Sequence, residues 1–444
     1  MTTNENSRLK LNRMSTESQC GEAKPSIPIA IEGYDVKIFT DNIEENALEQ
    51  IKELLSIDVF SDKKIRIMPD VHAGAGCVIG FTGDLGYKVI PNIVGVDIGC
   101  GMRILKLGKL AGIDFHAFHE HIRANVPSGM IVREDRFGFK PLTSEDMDIY
   151  REAKQFVTQL YCYRKIKDSG RINKSIGSLG GGNHFIELDK DDEDNVFLVI
   201  HTGSRNLGKQ VADIYQAKAV RHLTEGADEF EDTIRRTIEE YKAAGRRSEL
   251  QSLIKRMRKE RQDAAPSLPA ALCYVEGKVR EQYLHDMRLC QRWAVLNRKL
   301  ISLLLMRFFK GVTAIDEFES VHNYISNDNI IRKGAISAAK GERCIIPLNM
   351  RDGSLLCTGK GNLDWNCSAP HGAGRVLSRT QAYEKITLKD FEASMQGIYS
   401  ESVSDFTRDE SPMVYKPASE IIANIWDTVT IDTIIRPIFN FKAN

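Results

Sequence analysis

The stretch KIRIMPDVHAGAGCVIGFTGDLGYKVIPNIVGVDIGCGMRIL, residues 64–105, decides the fold. Short apolar runs at Ile65–Met68, Val78–Ile79 and Ile93–Val96 alternate with glycines, the pattern of buried strands joined by tight turns. The same style returns at Ile176–Leu188, at Val196–Leu207 and from Arg332 to His371. Upstream, Val36–Phe39 reads as a strand and Asn42–Leu55 as a helix with an Asp or Asn cap near its start. Asp146–Ile166 spaces Tyr150, Ala153, Val157, Leu160 and Tyr161 along one helical face. Asp213–Leu305 reads as mostly helical, Leu388–Gly397 as a further helix, and Ile431–Lys442 as an extended closing segment. Glycine-rich blocks scattered from residue 70 to residue 375, with no repeat or linker, predict one interleaved α+β domain over 27–444. Residues 1–26 read as a flexible polar tail. Residues 226–264 read as a charged helical insertion, a solvated pair on the surface.

Composition bounds the class. With 42% apolar and 27% charged residues, the chain falls among ordinary soluble proteins. No apolar run approaches the roughly 20 residues that a membrane helix needs. Nine cysteines without a CxxC pair or an apolar leader point to reduced thiols in the cytoplasm. A monomer is expected. Lys+Arg and Asp+Glu both number 61, so the sum shows none of the basic excess typical of a nucleic-acid reader.

The chemistry gathers beside the glycines. Asp97 and Cys100 stand three apart in Gly95-Val-Asp-Ile-Gly-Cys-Gly-Met102. His184 lies in Gly180-Gly-Gly-Asn-His-Phe-Ile-Glu187, His201 follows the apolar run Val196–Ile200, and His322 precedes Asn323. Each alone is an ordinary structural residue. Their shared setting, at strand ends where backbone approaches a ligand closely, suits a divalent metal. On ligand softness alone, zinc comes before manganese. The loops Gly177–Asn183 and His371–Arg375 are candidate anion nests. Gly353–Lys360 fails as a Walker A loop, because five residues rather than four separate its glycines and Gly361 replaces Ser or Thr. His371, held between Pro370 and Gly372, is a candidate covalent nucleophile toward phosphorus, with Arg375 to offset phosphate charge. His72 is a candidate support for the metal ligands. His116, His119 and His121 read as a surface helix.

Several of these stretches together resemble the RtcB family of RNA-splicing ligases. They are Met68-Pro-Asp-Val-His72, Gly95–Gly101, Gly182–Glu187, His201-Thr-Gly-Ser-Arg205, His322-Asn-Tyr324, Arg332-Lys-Gly-Ala335 and His371–Arg379, in the family's order. The resemblance implies an RtcB-like fold and a two-manganese centre. Asp97, Cys100 and His184 would hold one ion and Cys100, His201 and His322 the other. It implies that His371 attacks GTP and carries a guanylate. It further implies a nucleotide site of Asn183, His184, Phe185, Ile186, Glu187, His322, Asn323, Pro347, Leu348, Asn349, Met350, Ser354, Gly372, Ala373, Gly374 and Lys442. The expected partners are RNA ends, a 3′-phosphate or 2′,3′-cyclic phosphate and a 5′-hydroxyl, joined in tRNA splicing or RNA repair. Leu348-Asn-Met-Arg351 stands where the family usually has small residues, which bears on guanine preference. The alternatives are an RNA-end phosphodiesterase or phosphatase, a 3′-phosphate capping enzyme that does not seal, and a binding protein without catalysis.

Overall fold

Apolar runs beside glycines, such as Ile79–Gly83 and Gly101–Lys109, form strands for the expected reason, and thirteen strands in all join among the described residues. In the computed structural model, residues 25–224, 228–263 and 268–443 are described. The strands are β1 (Ile29–Ala30), β2 (Val36–Ile38), β3 (Ile65–His72), β4 (Ile79–Gly83), β5 (Gly101–Lys109), β6 (Phe185–Lys190) and β7 (Asn195–Thr202). They continue with β8 (Asp316–Ile325), β9 (Ile331–Ser337), β10 (Arg343–Asn349), β11 (Gly353–Gly359), β12 (Ser368–Pro370) and β13 (Val429–Lys442). They run in the order β1-β2-β3-β4-β9-β8-β5-β7-β6-β13-β11-β10, with β12 on β9. The β2–β3 pair is parallel. The chain is mixed α+β, and the expected interleaved sheets turn out to be one continuous path.

The helix Gly277–Met306 packs across β5, β7 and β8 and against the helices Ser144–Thr158 and Arg205–Thr224. Its buried Trp293, Leu300 and Leu304 face the main core with Ile186, Leu188, Leu198 and Ile200 from the sheet. Asn297 and Arg298 sit fully buried on the same helix, as does Asp286.

Three local expectations are corrected. Ile93–Val96 is not a strand: Pro91–Val94 form one helical turn, with proline at its start and Gly95 at φ 92° ending it. A four-residue apolar run does not by itself separate the two states. The first helix is Glu45–Leu55, and Glu44 precedes it with no side-chain cap. The helix expected over Asp146–Ile166 is Ser144–Thr158, and its buried face is Ile149, Ala153, Phe156 and Val157. Tyr161 lies beyond it, 63% exposed. Most of the expected tail, residues 1–24, lies outside the described residues, as do 226, 227 and 264 of the charged segment. Ser26 is already tied to Asn424 through a 2.7 Å hydrogen bond. The rest of the charged segment is helical, at Asp228–Ala243 and Leu250–Asp263.

Candidate metal centre and nucleotide cavity

Sheet register brings the expected ligands together. Strands β6, β7, β5 and β8 are consecutive neighbours, and His201 lies opposite both Phe185 and Met102. His184 immediately precedes β6, Cys100 immediately precedes β5, and the His322 amide donates to the Cys100 carbonyl at 2.8 Å. The Cys100 Sγ lies 3.4 Å from His184 Nε2 and 3.3 Å from His201 Nε2. Asp97 Oδ2 is 3.1 Å from His184 Nε2, and the Nε2 atoms of His201 and His322 are 3.5 Å apart. Cys100 therefore belongs to two groups, one with Asp97 and His184 and one with His201 and His322.

The donor set fits metal. His184 Nδ1 lies 2.9 Å from the Leu179 carbonyl and His201 Nδ1 3.1 Å from the Asn183 carbonyl. With protons held there, both Nε2 lone pairs face the cluster. Burial pushes His201 and His322 well below the usual imidazole range, so both are neutral, as ligation requires. Burial acts to raise the Asp97 carboxyl, but the neighbouring His184, Cys100 and His201 outweigh it and bring it down to about 2. Burial and Asp97 push the Cys100 thiol well up, so only a bound cation would ionise it. Lone pairs facing one another at these distances call for a positive charge between them.

Buried helix polarity explains how the loops hold this shape. Asn297 Oδ1 accepts from the amides of Gly177 and Ser178, while its Nδ2 donates to the carbonyls of Ser178 and Gly203. Arg298 donates to the carbonyls of Gly99 and Thr202. One helical turn thus pins the three glycine-rich loops. It also uses two amides of Gly177–Asn183, which narrows the anion nest expected there. Asn323, at φ 62°, braces the Asp97 loop by donating to the Asp97 carbonyl and accepting from the Gly334 amide.

Beside the cluster opens a cavity of about 1340 Å³. Asn183, Phe185, Glu187, Pro347, Leu348, Asn349, Met350, Ser354, Lys442 and His371–Gly374 line it, as does His201. Of the other residues expected around a nucleotide, His184 and His322 sit in the donor cluster and Asn323 braces it. Ile186 points away, because strand alternation sends it into the main core opposite Phe185 and Glu187. Leu348 and Met350 are nearly buried, and Asn349 folds back onto Asp352. The buried Ser354 hydroxyl has no partner among the described residues, which leaves it free for a ligand. His72 lines the cavity rather than the cluster, and burial holds it down to about 4.

His371 stands where the two regions meet. Its ring centroid is 4.9 Å from that of His322. Asp70, fully buried, takes the His371 Nδ1 at 2.7 Å and the His371 amide at 3.2 Å on one oxygen. Asp70 lies in Met68-Pro-Asp-Val-His72, yet nothing in the local sequence marks it. Glu410 was also missed. It lies 3.0 Å from Lys442 Nζ and accepts from the Tyr415 hydroxyl at 2.7 Å. Burial opposes its ionisation, but Lys442, Arg375 and Tyr415 outweigh this and keep it below the usual carboxylate range. Arg375 turns inward, donating to the Asp409 carbonyl and lying 3.4 Å from Glu410. Burial raises Glu187 to about 7 despite Asn440 and Lys442. The eight described cysteines are free. His119, expected on a surface helix, lies on the helix Phe115–Asn125 but is 5% exposed, packed toward Glu401.

The profile of the family described as tRNA-splicing ligase RtcB matches residues 50–443. The RNA-splicing ligase RtcB of Escherichia coli K12 is 28% identical, over 93% of this chain and 98% of its own length. The tRNA-splicing ligase RtcB of Methanococcus maripaludis is 24% identical, over 82% and 83%. With the match running across nearly the whole fold and both halves of the site, the chain belongs to the RtcB family.

Proposed function

We propose that this enzyme joins an RNA 3′-phosphate, supplied directly or by opening a 2′,3′-cyclic phosphate, to a 5′-hydroxyl. It uses GTP and two manganese ions. The observation that carries this reading is the Asp70–His371 pair at 2.7 Å, set beside the donor cluster and opening into the cavity. Asp70 holds the proton on Nδ1, which presents the Nε2 lone pair as nucleophile. A bond forms from Nε2 to the α-phosphorus of GTP, the bond to the bridging oxygen breaks, and pyrophosphate leaves. The charge that develops on the ring is balanced by the Asp70 carboxylate. A 3′-phosphate oxygen of RNA then takes the guanylate and returns the lone pair to His371. The 5′-hydroxyl attacks the activated 3′-phosphate, loses its proton, and displaces GMP. Divalent cations at the cluster would screen phosphate charge during transfer.

Guanine preference rests on the carboxylates of the cavity. Guanine offers two adjacent N–H donors on its pairing edge, which Glu187 suits once it ionises on binding, with Lys442 and Ser354 lining the same cavity. Incubation with α-labelled GTP and manganese is expected to give an acid-labile adduct on wild type and none on His371→Ala. Labelling that survives the substitution would refute the nucleophile. RNA bearing a 2′,3′-cyclic phosphate and a 5′-hydroxyl partner then separates sealing from capping or trimming.

A further inference from the structure

The chain carries no net charge, yet its cations are not spread evenly. A second cavity, of about 760 Å³, is lined by Lys165, Lys167, Arg171, Arg205, Lys209 and Arg221. Two carboxylates share that lining, and both are occupied. Asp168 accepts from the Arg171 amide, and Asp213 pairs with Lys209 at 2.6 Å. Lys165, Lys167, Arg171 and Arg221 have no carboxylate partner among the described residues. Small-molecule pockets are mostly apolar, with a few polar groups. Here six of the sixteen lining residues are lysine or arginine, set among apolar ones such as Met130, Val132 and Ile214.

The cavity is also connected to the metal centre by the chain itself. Four residues after the ligand His201, Arg205 opens the helix Arg205–Thr224, which carries Lys209 and Arg221. Arg205 adopts φ 57°, an uncommon conformation for a residue with a side chain. Its guanidinium fills the space beside Gly180, where a Cβ would lie 1.7 Å from it, and donates to the Gly129 carbonyl. Asp97 and Cys100 are near enough to act on its charge. The lining thus runs from solvent-exposed lysines inward to an arginine beside the Asp97 side of the cluster.

We propose that this second cavity is the track for the sugar–phosphate backbone of the substrate RNA strand, leading its end to the metal centre. This rests on the ligase reading, but its failure is separable from it. Backbone phosphates explain a row of cations without a built base pocket, and each neutralised phosphate contributes to the salt dependence of binding.

The test is binding of a fluorescent oligouridylate 3′-phosphate across a salt series, with GTP labelling of His371 measured in parallel. Lys167→Glu with Arg221→Glu is expected to weaken RNA binding and flatten the slope of log affinity against log salt by about 1.4, two contacts at roughly 0.7 each. Labelling of His371 should stay at the wild-type level. Lys167→Gln with Arg221→Gln gives the milder form, with the same direction expected. The same reversal at Lys255 and Lys259, on the charged helix Leu250–Asp263, is expected to leave the slope unchanged. Unchanged RNA affinity and slope in both cavity variants, or a slope carried by Lys255 and Lys259 instead, would overturn the proposal. A wild type that binds RNA through the cavity but never labels with GTP would leave the track standing and remove the ligase reading.

Discussion

Substituting Gly203→Ala separates the two halves of the metal cluster. A Cβ at this position would lie 2.3 Å from Asp97 Oδ1 and 2.9 Å from its Cγ. An ordinary carbon–oxygen contact is about 3.3 Å or more, so one of the two groups must retreat by about 1 Å. The backbone is poorly placed to do so, because Asn297 holds the Gly203 carbonyl at 3.2 Å and Arg298 holds that of Thr202 at 2.9 Å. The Asp97 side chain is 32% exposed and has room to rotate outward. Ligand distances tolerate only about 0.2 Å, so an ion at the proposed Asp97, Cys100 and His184 position would be lost. An ion at the proposed Cys100, His201 and His322 position would be kept. Affinity at the first position should fall by at least the 10–100-fold typical of losing a supporting contact. The assay is manganese content per folded chain after equilibration at limiting metal, with a thermal melt to register an overpacking cost of about 1–3 kcal/mol. The expected content is half that of wild type. Full occupancy at wild-type affinity would refute the steric reasoning. Loss of both ions together would show that the helix does not pin the loop as described.

Asp70→Asn keeps the shape beside His371 but removes the charge that balances its ring. The labelling rate with GTP should fall by about 10²–10⁴-fold, bounded by a charged hydrogen bond and by the comparable Asp–His pair of serine proteases. A wild-type rate would show that Asp70 has no positioning role. For Glu187, burial raises the folded carboxyl to about 7 from 4.5. Between those values the unfolded chain is ionised while the folded one keeps its proton, so this group costs stability progressively as pH rises. In melts without nucleotide, Glu187→Gln should gain on wild type from about pH 4.5 to about pH 7, then level off. A difference that does not change with pH across that window counts against the buried, protonated state.

The candidate metal ligands were legible because their signal is mostly local. Cys100, His184 and His201 lie at strand ends beside glycines and Asp97 in the glycine-rich loop before β5, where backbone can approach an ion, whereas His322 lies within β8 and is brought in by its register against β5. The softness argument toward zinc used residue types alone, and types do not carry site geometry. Ile93–Val96 and the Tyr161 face were misread because short apolar runs fit more than one period. Ile186 was placed in the pocket by its motif, whereas strand alternation sends it to the core. Leu348 and Met350, large where the family usually has small residues, are accommodated as nearly buried side chains.

The amino-acid order alone therefore determined the mixed α+β class and marked Asp97, Cys100, His184, His201 and His322 as candidate ligands and His371 as a candidate nucleophile. Periodicity and turn residues act within a few positions of one another, and that information is complete in the chain. Tertiary structure decided the rest. Asp70 meets His371 across 301 residues, and Asn297 reaches Gly177 across 120. Glu410 meets Lys442, and six cations gather round one cavity in a chain of zero net charge. Such pairings depend on sheet order and register, which arise only when the whole core is buried at once.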